Sequence, residues 1–205
     1  MKCPVIDYDV ISNEYDEHYQ NEMSKKENQA IIDSIGSHIS KCKRILDLGC
    51  GTGFLIDLFP MISVEKYLGI DISSSMIKIA KNKYPTHSFI DGVIEDISDS
   101  IGKFDVIVSL FSIPYIDTES INHIYDVLES GGWFIGVYYD KPYLNSDSVY
   151  YNNEDVYNES VKPKVDEFID NLVNRFTIIP DTVNTSIIKR SLTDDETYSL
   201  IMIRK

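Results

Sequence analysis

Cysteine is scarce: Cys3, Cys42 and Cys50 are odd in number and lack C-x-x-C spacing, which argues against a zinc site or a disulfide framework and leaves no metal expected. No uninterrupted apolar run approaches the roughly 18 residues of a membrane span. The opening M-K-C-P-V-I-D-Y-D has no signal-peptide apolar core, so the expected location is the cytoplasm, with no membrane partner. Basic residues are also short, 19 Lys and Arg against 33 Asp and Glu, with no compact Lys/Arg block. A nucleic-acid backbone would be repelled on average, and Lys41, Lys43 and Arg44 read better as a solvated loop than as a basic groove. There is no internal repeat. The 205 residues suit one domain with a full core, spanning 1–205.

What the sequence does contain is the stretch Arg44 to Phe54, R-I-L-D-L-G-C-G-T-G-F. Ile45, Leu46 and Leu48 suit a buried parallel strand, and Gly49, Gly51 and Gly53 allow a sharp turn at its carboxyl end, where open α/β sheets bind ligands. A dinucleotide fingerprint needs glycine at the sixth place of G-x-G-x-x-G; Phe54 occupies that place and weakens an NAD reading. With Asp47 ahead of it and glycine at the fifth place, the stretch resembles motif I of the class I S-adenosylmethionine-dependent methyltransferases. The resemblance covers most of Tyr8 to Gly136. It implies an α/β fold: a doubly wound, mostly parallel, seven-stranded Rossmann-like sheet.

Periodicity places the elements. Ser24 to Ser40 carries Ala30, Ile31, Ile32, Ile35 and Ile39 at helical spacing and feeds the first strand. Phe54 to Met61 predicts a helix ending near Pro60, Lys66 to Asp71 a second strand, and Ser73 to Lys83 a helix capped by Ser73 or Ser74. His87 to Ile90 and Phe104 to Ser109 predict strands three and four, with D-G-V-I-E-D-I as a connection after the third. Asp117 to Glu129 predicts a helix stopped by Gly131-Gly132 before a strand from Trp133 to Tyr139. Residues 139–162 are rich in Tyr, Asn, Asp and Ser without a period, which suits an insertion over a pocket. Pro163 to Phe176 predicts a helix, and Ser186 to Leu192 with Thr197 to Arg204 an antiparallel hairpin that finishes the sheet.

The resemblance also implies roles. Asp47 orients the amino group of S-adenosyl-L-methionine, the backbone of Gly49, Cys50, Gly51 and Gly53 lies against its methionyl part, and Asp71 grips the ribose hydroxyls. Ile72 and Met76 pad the adenine, or are generic core. Many relatives read G-D-A-x-x-L after strand three, but Val93 stands where their Asp holds the adenine amino group. That contact passes to the Ile94 backbone or to Asp91, Glu95 or Asp96. Ser109 ends strand four, facing the transferred methyl group. Y-D-V-I-S-N-E-Y-D-E-H-Y, Tyr8 to Tyr19, is similar to the leader that folds over the cofactor in small-molecule methyltransferases. It makes Tyr8, Tyr15 and Tyr19 lid candidates, Tyr15 a cofactor contact, and residues 1–40 a leader; a helix packing its aromatics on the body is the alternative. Tyr139, Tyr143, Tyr150 and Tyr151 are candidate pocket walls.

No constellation names a general base. His18, His38, His87 and His123 are scattered; His18, beside Tyr19 in the leader, is the best placed for catalysis. Ser112-Ile113-Pro114-Tyr115 lacks the amide and first proline of the N-P-P-Y tetrad of amino-methylating enzymes, which disfavours a nucleic-acid base as acceptor. The expected function is methyl transfer to a small molecule. The alternatives are a protein methyltransferase, for which the acidic chain suits a basic target, and a non-catalytic cofactor-binding module.

Overall fold

Short β-branched runs alternate with amphipathic helices, and in the computed structural model, which describes residues 22–141, 154–177, 187–192 and 198–205, they assemble into one seven-stranded sheet. The order of elements is α1 (Glu22–Lys41), β1 (Ile45–Leu48), α2 (Phe54–Leu58), β2 (Tyr67–Asp71), α3 (Ser74–Lys83), β3 (Ser88–Asp91), α4 (Ile94–Ile101), β4 (Phe104–Leu110), a 3₁₀ turn (Ile113–Tyr115), α5 (Ser120–Val127), β5 (Leu128–Tyr139), a helical turn (Glu154–Val156) and a π-helical turn (Tyr157–Val161) that lead, inside the stretch read as aperiodic, straight into α6 (Lys162–Thr177), then β6 (Ile187–Ser191) and β7 (Tyr198–Arg204). The strands lie in the order β3-β2-β1-β4-β5-β7-β6. The first five pair in parallel, and β7 pairs antiparallel with both β5 and β6. The expected fold class and C-terminal hairpin are both present.

Helices cover both faces. Successive strand residues point to opposite sides, and on β5 Trp133 meets His38 of α1 edge-on while Phe134 rests against Phe168 of α6. On the α1 face, Gly36 lies against Phe59 just past α2, and Lys83 of α3 pairs with Asp57 of α2 at 2.7 Å. On the other, Tyr125 of α5 packs edge-on against Phe176 of α6, and Glu95 of α4 accepts the Ser120 hydroxyl of α5. The core between them is continuous, from Ile31, Ile35 and Ile39 through Ile45, Ile107 and Phe134 to Leu172 and Ile201. Among the described residues no helix is long and apolar enough to cross a membrane.

Three expectations need correction. The connection D-G-V-I-E-D-I carries a helix that the sequence reading did not predict: Ile94 starts α4, an eight-residue helix with Ile94 and Ser98 inward. The helix expected over Phe54 to Met61 ends at Leu58, because Pro60 disfavours helical geometry at Phe59, which sits at φ −130°. Gly131-Gly132 does not stop α5, which ends at Val127; the pair lies inside β5. There Gly131 takes φ +81°, β4 and β5 shift register, and a side chain on Gly132 would meet the Asp105 carbonyl at 2.8 Å. Tyr8, Tyr15, His18, Tyr19, Tyr143, Tyr150, Tyr151, Ser186 and Thr197 lie outside the described residues.

Leu172 is fully buried on α6, the helix nearest the C-terminal hairpin in sequence. Leu172→Ala should lower stability by about 2–5 kcal/mol. If residues 1–205 fold as one cooperative unit, circular dichroism and Trp133 fluorescence will report the same lowered denaturant midpoint.

Candidate functional site

The order of strands reverses at β1 and β4, so the crevice at their carboxyl ends is where ligands of such sheets sit. The β1 turn fills one side of it. Gly49, Gly51 and Gly53 adopt φ +74°, +52° and +96°. A side chain on Gly49 would collide with Ser112, and one on Gly53 would come within 2.7 Å of the Tyr84 ring.

The amides of this turn point into the protein. Gly49 and Cys50 donate to the Ile70 carbonyl at 2.8 and 3.0 Å, and Gly53 donates to the Cys50 carbonyl at 2.9 Å. Gly51 donates to Asp71 Oδ2 at 2.8 Å. A phosphate-cradling loop aims such donors at its ligand. This one presents glycine backbone with at least four of its amides already engaged.

Two acids flank it. Asp71 ends β2; Oδ2 takes the Gly51 amide and Oδ1 takes the Ser73 amide at 2.9 Å. A carboxylate has about four acceptor sites, so these two bonds do not exhaust its capacity. Asp47 lies below the turn, 2% exposed, and Oδ2 accepts the Tyr67 hydroxyl at 2.7 Å. Burial pushes its pKa up to about 7, the Tyr67 hydrogen bond pulls against that, and the Asp71 charge adds to the rise. Burial, then the charges of Asp47 and Asp71, hold the Cys50 thiol well above its usual range, so it stays a neutral core group.

Across the crevice, β4 ends abruptly. Phe111 takes φ +60°, rare for a bulky residue, while its amide still bonds the Val137 carbonyl at 2.7 Å. Its ring packs against Tyr139 and Tyr198, each at 4.9 Å, and against Phe54 at 6.5 Å. The turn brings Ser112 back under the glycines, where its hydroxyl donates to the Leu48 carbonyl at 2.7 Å. With that proton spent, Ser109 is the donor in the 2.6 Å contact between the two hydroxyls.

The residues singled out in the sequence therefore separate. Asp47, Gly49, Cys50, Gly51, Gly53 and Asp71 come together, and Ile72 stands beside Asp71 with 73% of its surface exposed. Met76 is 1% exposed at the start of α3, Ile94 is buried, and Ser109 is fully enclosed under Ser112. Glu95 is turned to Ser120, and Asp91 accepts the Ser74 hydroxyl. Asp96 lies in the first turn of α4. Tyr139 lines the aromatic corner; Tyr15, His18 and Tyr19 are outside the described residues. Sequence reasoning passed over three positions. Tyr67 reaches Asp47, Ser112 braces the turn, and Glu27, 6% exposed, continues the stripe of Ile31, Ile35 and Ile39 one turn earlier. Only Glu27 left a signal, an acid four residues before a buried isoleucine. A cleft of about 290 Å³ lined by Gly36, Ile39, Ile45, Phe59 and Lys66 sits by the amino end of β1, away from these groups.

Comparison with known proteins follows the same geometry. Residues 45–132 match the family model described as a methyltransferase domain. The chain is 26% identical over 142 residues to a demethylmenaquinone methyltransferase of Chlorobaculum tepidum, covering 68% of this chain and 57% of that one. It is 30% identical over 123 residues to a malonyl-[acyl-carrier protein] O-methyltransferase of Ilyobacter polytropus, covering 56% and 45%. The chain thus spans about half the length of the curated relatives it matches. Among solved structures, the plantazolicin methyltransferase BpumL in complex with a pentazolic desmethylPZN analog and SAH superposes with a TM-score of 0.68 at 17% identity, covering 98% of this chain and 91% of that one.

Asp47 gives the fold a measurable signature. Its pKa is raised from 3.8 in a free chain to about 7, so the native state holds a proton the unfolded state has released between those values, and stability falls as pH rises across that window. Asp47→Asn keeps an acceptor for Tyr67 and removes the charge. The variant should match the wild type near pH 4 and melt progressively higher than it as pH approaches 8, measured by calorimetry without ligand.

Proposed function

Since residues 45–132 are a methyltransferase domain and the described fold is that of the class I S-adenosylmethionine-dependent methyltransferases, we propose that this chain binds S-adenosyl-L-methionine on the β1 turn and methylates a small molecule. One observation carries the cofactor: the turn offers close backbone approach while the amides of Gly49, Cys50, Gly51 and Gly53 point inward, with two acids beside it. That set suits a ligand bearing positive charge and a sugar diol, and suits a pyrophosphate poorly.

The residues divide the work. Asp71 accepts the ribose hydroxyls while holding Gly51. Asp47 supplies negative charge beneath the amino group of the methionyl part, Ile72 covers one side of the adenine, and the first turn of α4 from Ile94 with Glu95 or Asp96 borders its edge. When bound, the cofactor supplies an electrophilic methyl group on a sulfonium. The protein's contribution is then to align the acceptor and exclude water, an effect worth roughly 7–11 kcal/mol in well-oriented systems. Phe111, Tyr139 and Tyr198 form the apolar wall on that side. No general base is assigned; His18 and Tyr19, outside the described residues, are the candidates for proton removal where the acceptor arrives protonated. The small-molecule assignment is supported by the names of the demethylmenaquinone and malonyl-carrier relatives and by this aromatic wall.

Asp71→Ala should weaken binding of S-adenosylmethionine by about 1.5–3 kcal/mol, the scale of hydrogen bonds to a charged group. Titration calorimetry checks this, and unchanged affinity removes Asp71 from the ribose. Methyl label passing from the cofactor to a metabolite extract, and not to protein, is the expected acceptor result; label on protein alone overturns it.

A further inference from the structure

We infer that Tyr67 is a positioning residue for the cofactor's amino-acid end: its hydroxyl, lying across the side-chain gap at Gly69, orients Asp47 and favours its charged form beneath the glycine turn. The inference rests on the cofactor assignment proposed above and adds a residue and a pH response to it.

The geometry comes from strand register. On β2, residues 67, 69 and 71 face one side, and they lie opposite Ile45 and Asp47 of β1, with Tyr67 paired to Ile45 and Gly69 to Asp47. Tyr67 therefore starts one pair behind the acid and must lie along the sheet to reach it. Gly69 permits that. A side chain there would come within 2.8 Å of the Tyr67 hydroxyl, the Cys50 sulfur and the Phe89 ring alike. The Tyr67 ring is fixed by edge-on contacts with His87 and Phe89, each at 5.6 Å, and the hydroxyl then meets Asp47 at 2.7 Å. A buried tyrosine on β2 needs a partner for its hydroxyl, and here that partner is the motif acid itself.

The ionisable groups that act on Asp47 are Tyr67 and Asp71 of β2, with Cys50 of the turn coupled to it in return; β4 presents Val108 beside it. Tyr67 is the hydrogen-bond donor among the groups that shift Asp47, and the Asp71 charge opposes it. Tyr67 itself is held well above its usual range by burial and by Asp47, so it remains a neutral donor. Loss of the hydroxyl would raise Asp47 further and leave it protonated at neutral pH. A ligand bearing an ammonium group would then lose its counter-charge.

The test separates the two ends of the ligand. S-adenosylhomocysteine carries the amino-acid part, and 5′-methylthioadenosine lacks it. Binding of each is titrated calorimetrically from pH 6 to 9 with wild type, Tyr67→Phe and Gly69→Ala, after circular dichroism confirms folding. For the wild type, affinity for S-adenosylhomocysteine should rise with pH through about 7. Tyr67→Phe should weaken that ligand about tenfold or more at pH 7 and move the rise to higher pH, leaving methylthioadenosine unchanged. Gly69→Ala should do the same with the hydroxyl present but displaced, and it carries the test if Tyr67→Phe does not fold. Equal affinity for S-adenosylhomocysteine in variant and wild type, or equal losses for both ligands, overturns the inference. A wild type that binds neither ligand overturns the cofactor assignment and this inference with it.

Discussion

A carboxylate on β2 fixes the shape of a turn on β1, and the ligand-facing end of the sheet depends on that tie. Three glycines at positive φ are a flexible segment on their own, since glycine gives up more conformational freedom than any other residue when ordered. Here the freedom is removed before any ligand arrives. The Ile70 carbonyl takes two amides, Asp71 takes a third, and Ser112, just past β4, presses against Gly49. The same Asp71 holds Ser73, whose side chain caps α3 through the Met76 amide at 3.2 Å. One side chain thus fixes the turn, closes β2 and starts the next helix, so a ligand meets a site already ordered.

That order has an electrostatic cost. Asp47 sits out of water beside a second acid, an arrangement that disfavours its charge and so works against the fold at neutral pH. The surrounding core offsets it: Ile45, Leu46, Ile70, Ile107 and Val108 are buried around the strand pair. A site that strains its own scaffold is the usual companion of a function that uses the strained group. The Tyr67 hydroxyl is the part of the scaffold that answers the acid directly.

The legible part of this chain was the part governed by local rules. Glycines flanked by an apolar strand and an acid identified the turn, and Ser73 was readable as a cap because its oxygen acts on an amide three residues on. Residues whose meaning depends on strand neighbours were not readable. Tyr67 looks like an ordinary β-former until β1 and β2 pair, and Ser112 looks like loop until Phe111 turns it under Leu48. The double glycine misled for the same reason: it resembles a helix stop, while its use is close approach between β5 and the Asp105 backbone. Helix α4 was missed although Ile94, Ile97 and Ile101 recur at helical spacing, because eight residues fall short of the window over which such a period declares itself.

The aromatic corner beside the crevice depends on the far end of the chain. Because β7 runs back between β5 and β6, Tyr198 is paired with Tyr139, and both rings reach Phe111 at the end of β4. Phe111 holds a backbone conformation that costs on the order of 1–3 kcal/mol for a residue with a side chain, and such a conformation persists only where packing over-determines it. The two tyrosine rings and the Val137 carbonyl supply that packing. The C-terminal hairpin is therefore more than a covered sheet edge. By fixing Phe111 it fixes Ser112, and through Ser112 it steadies the glycine turn, which joins the aromatic corner to the β1 turn through a single bent residue.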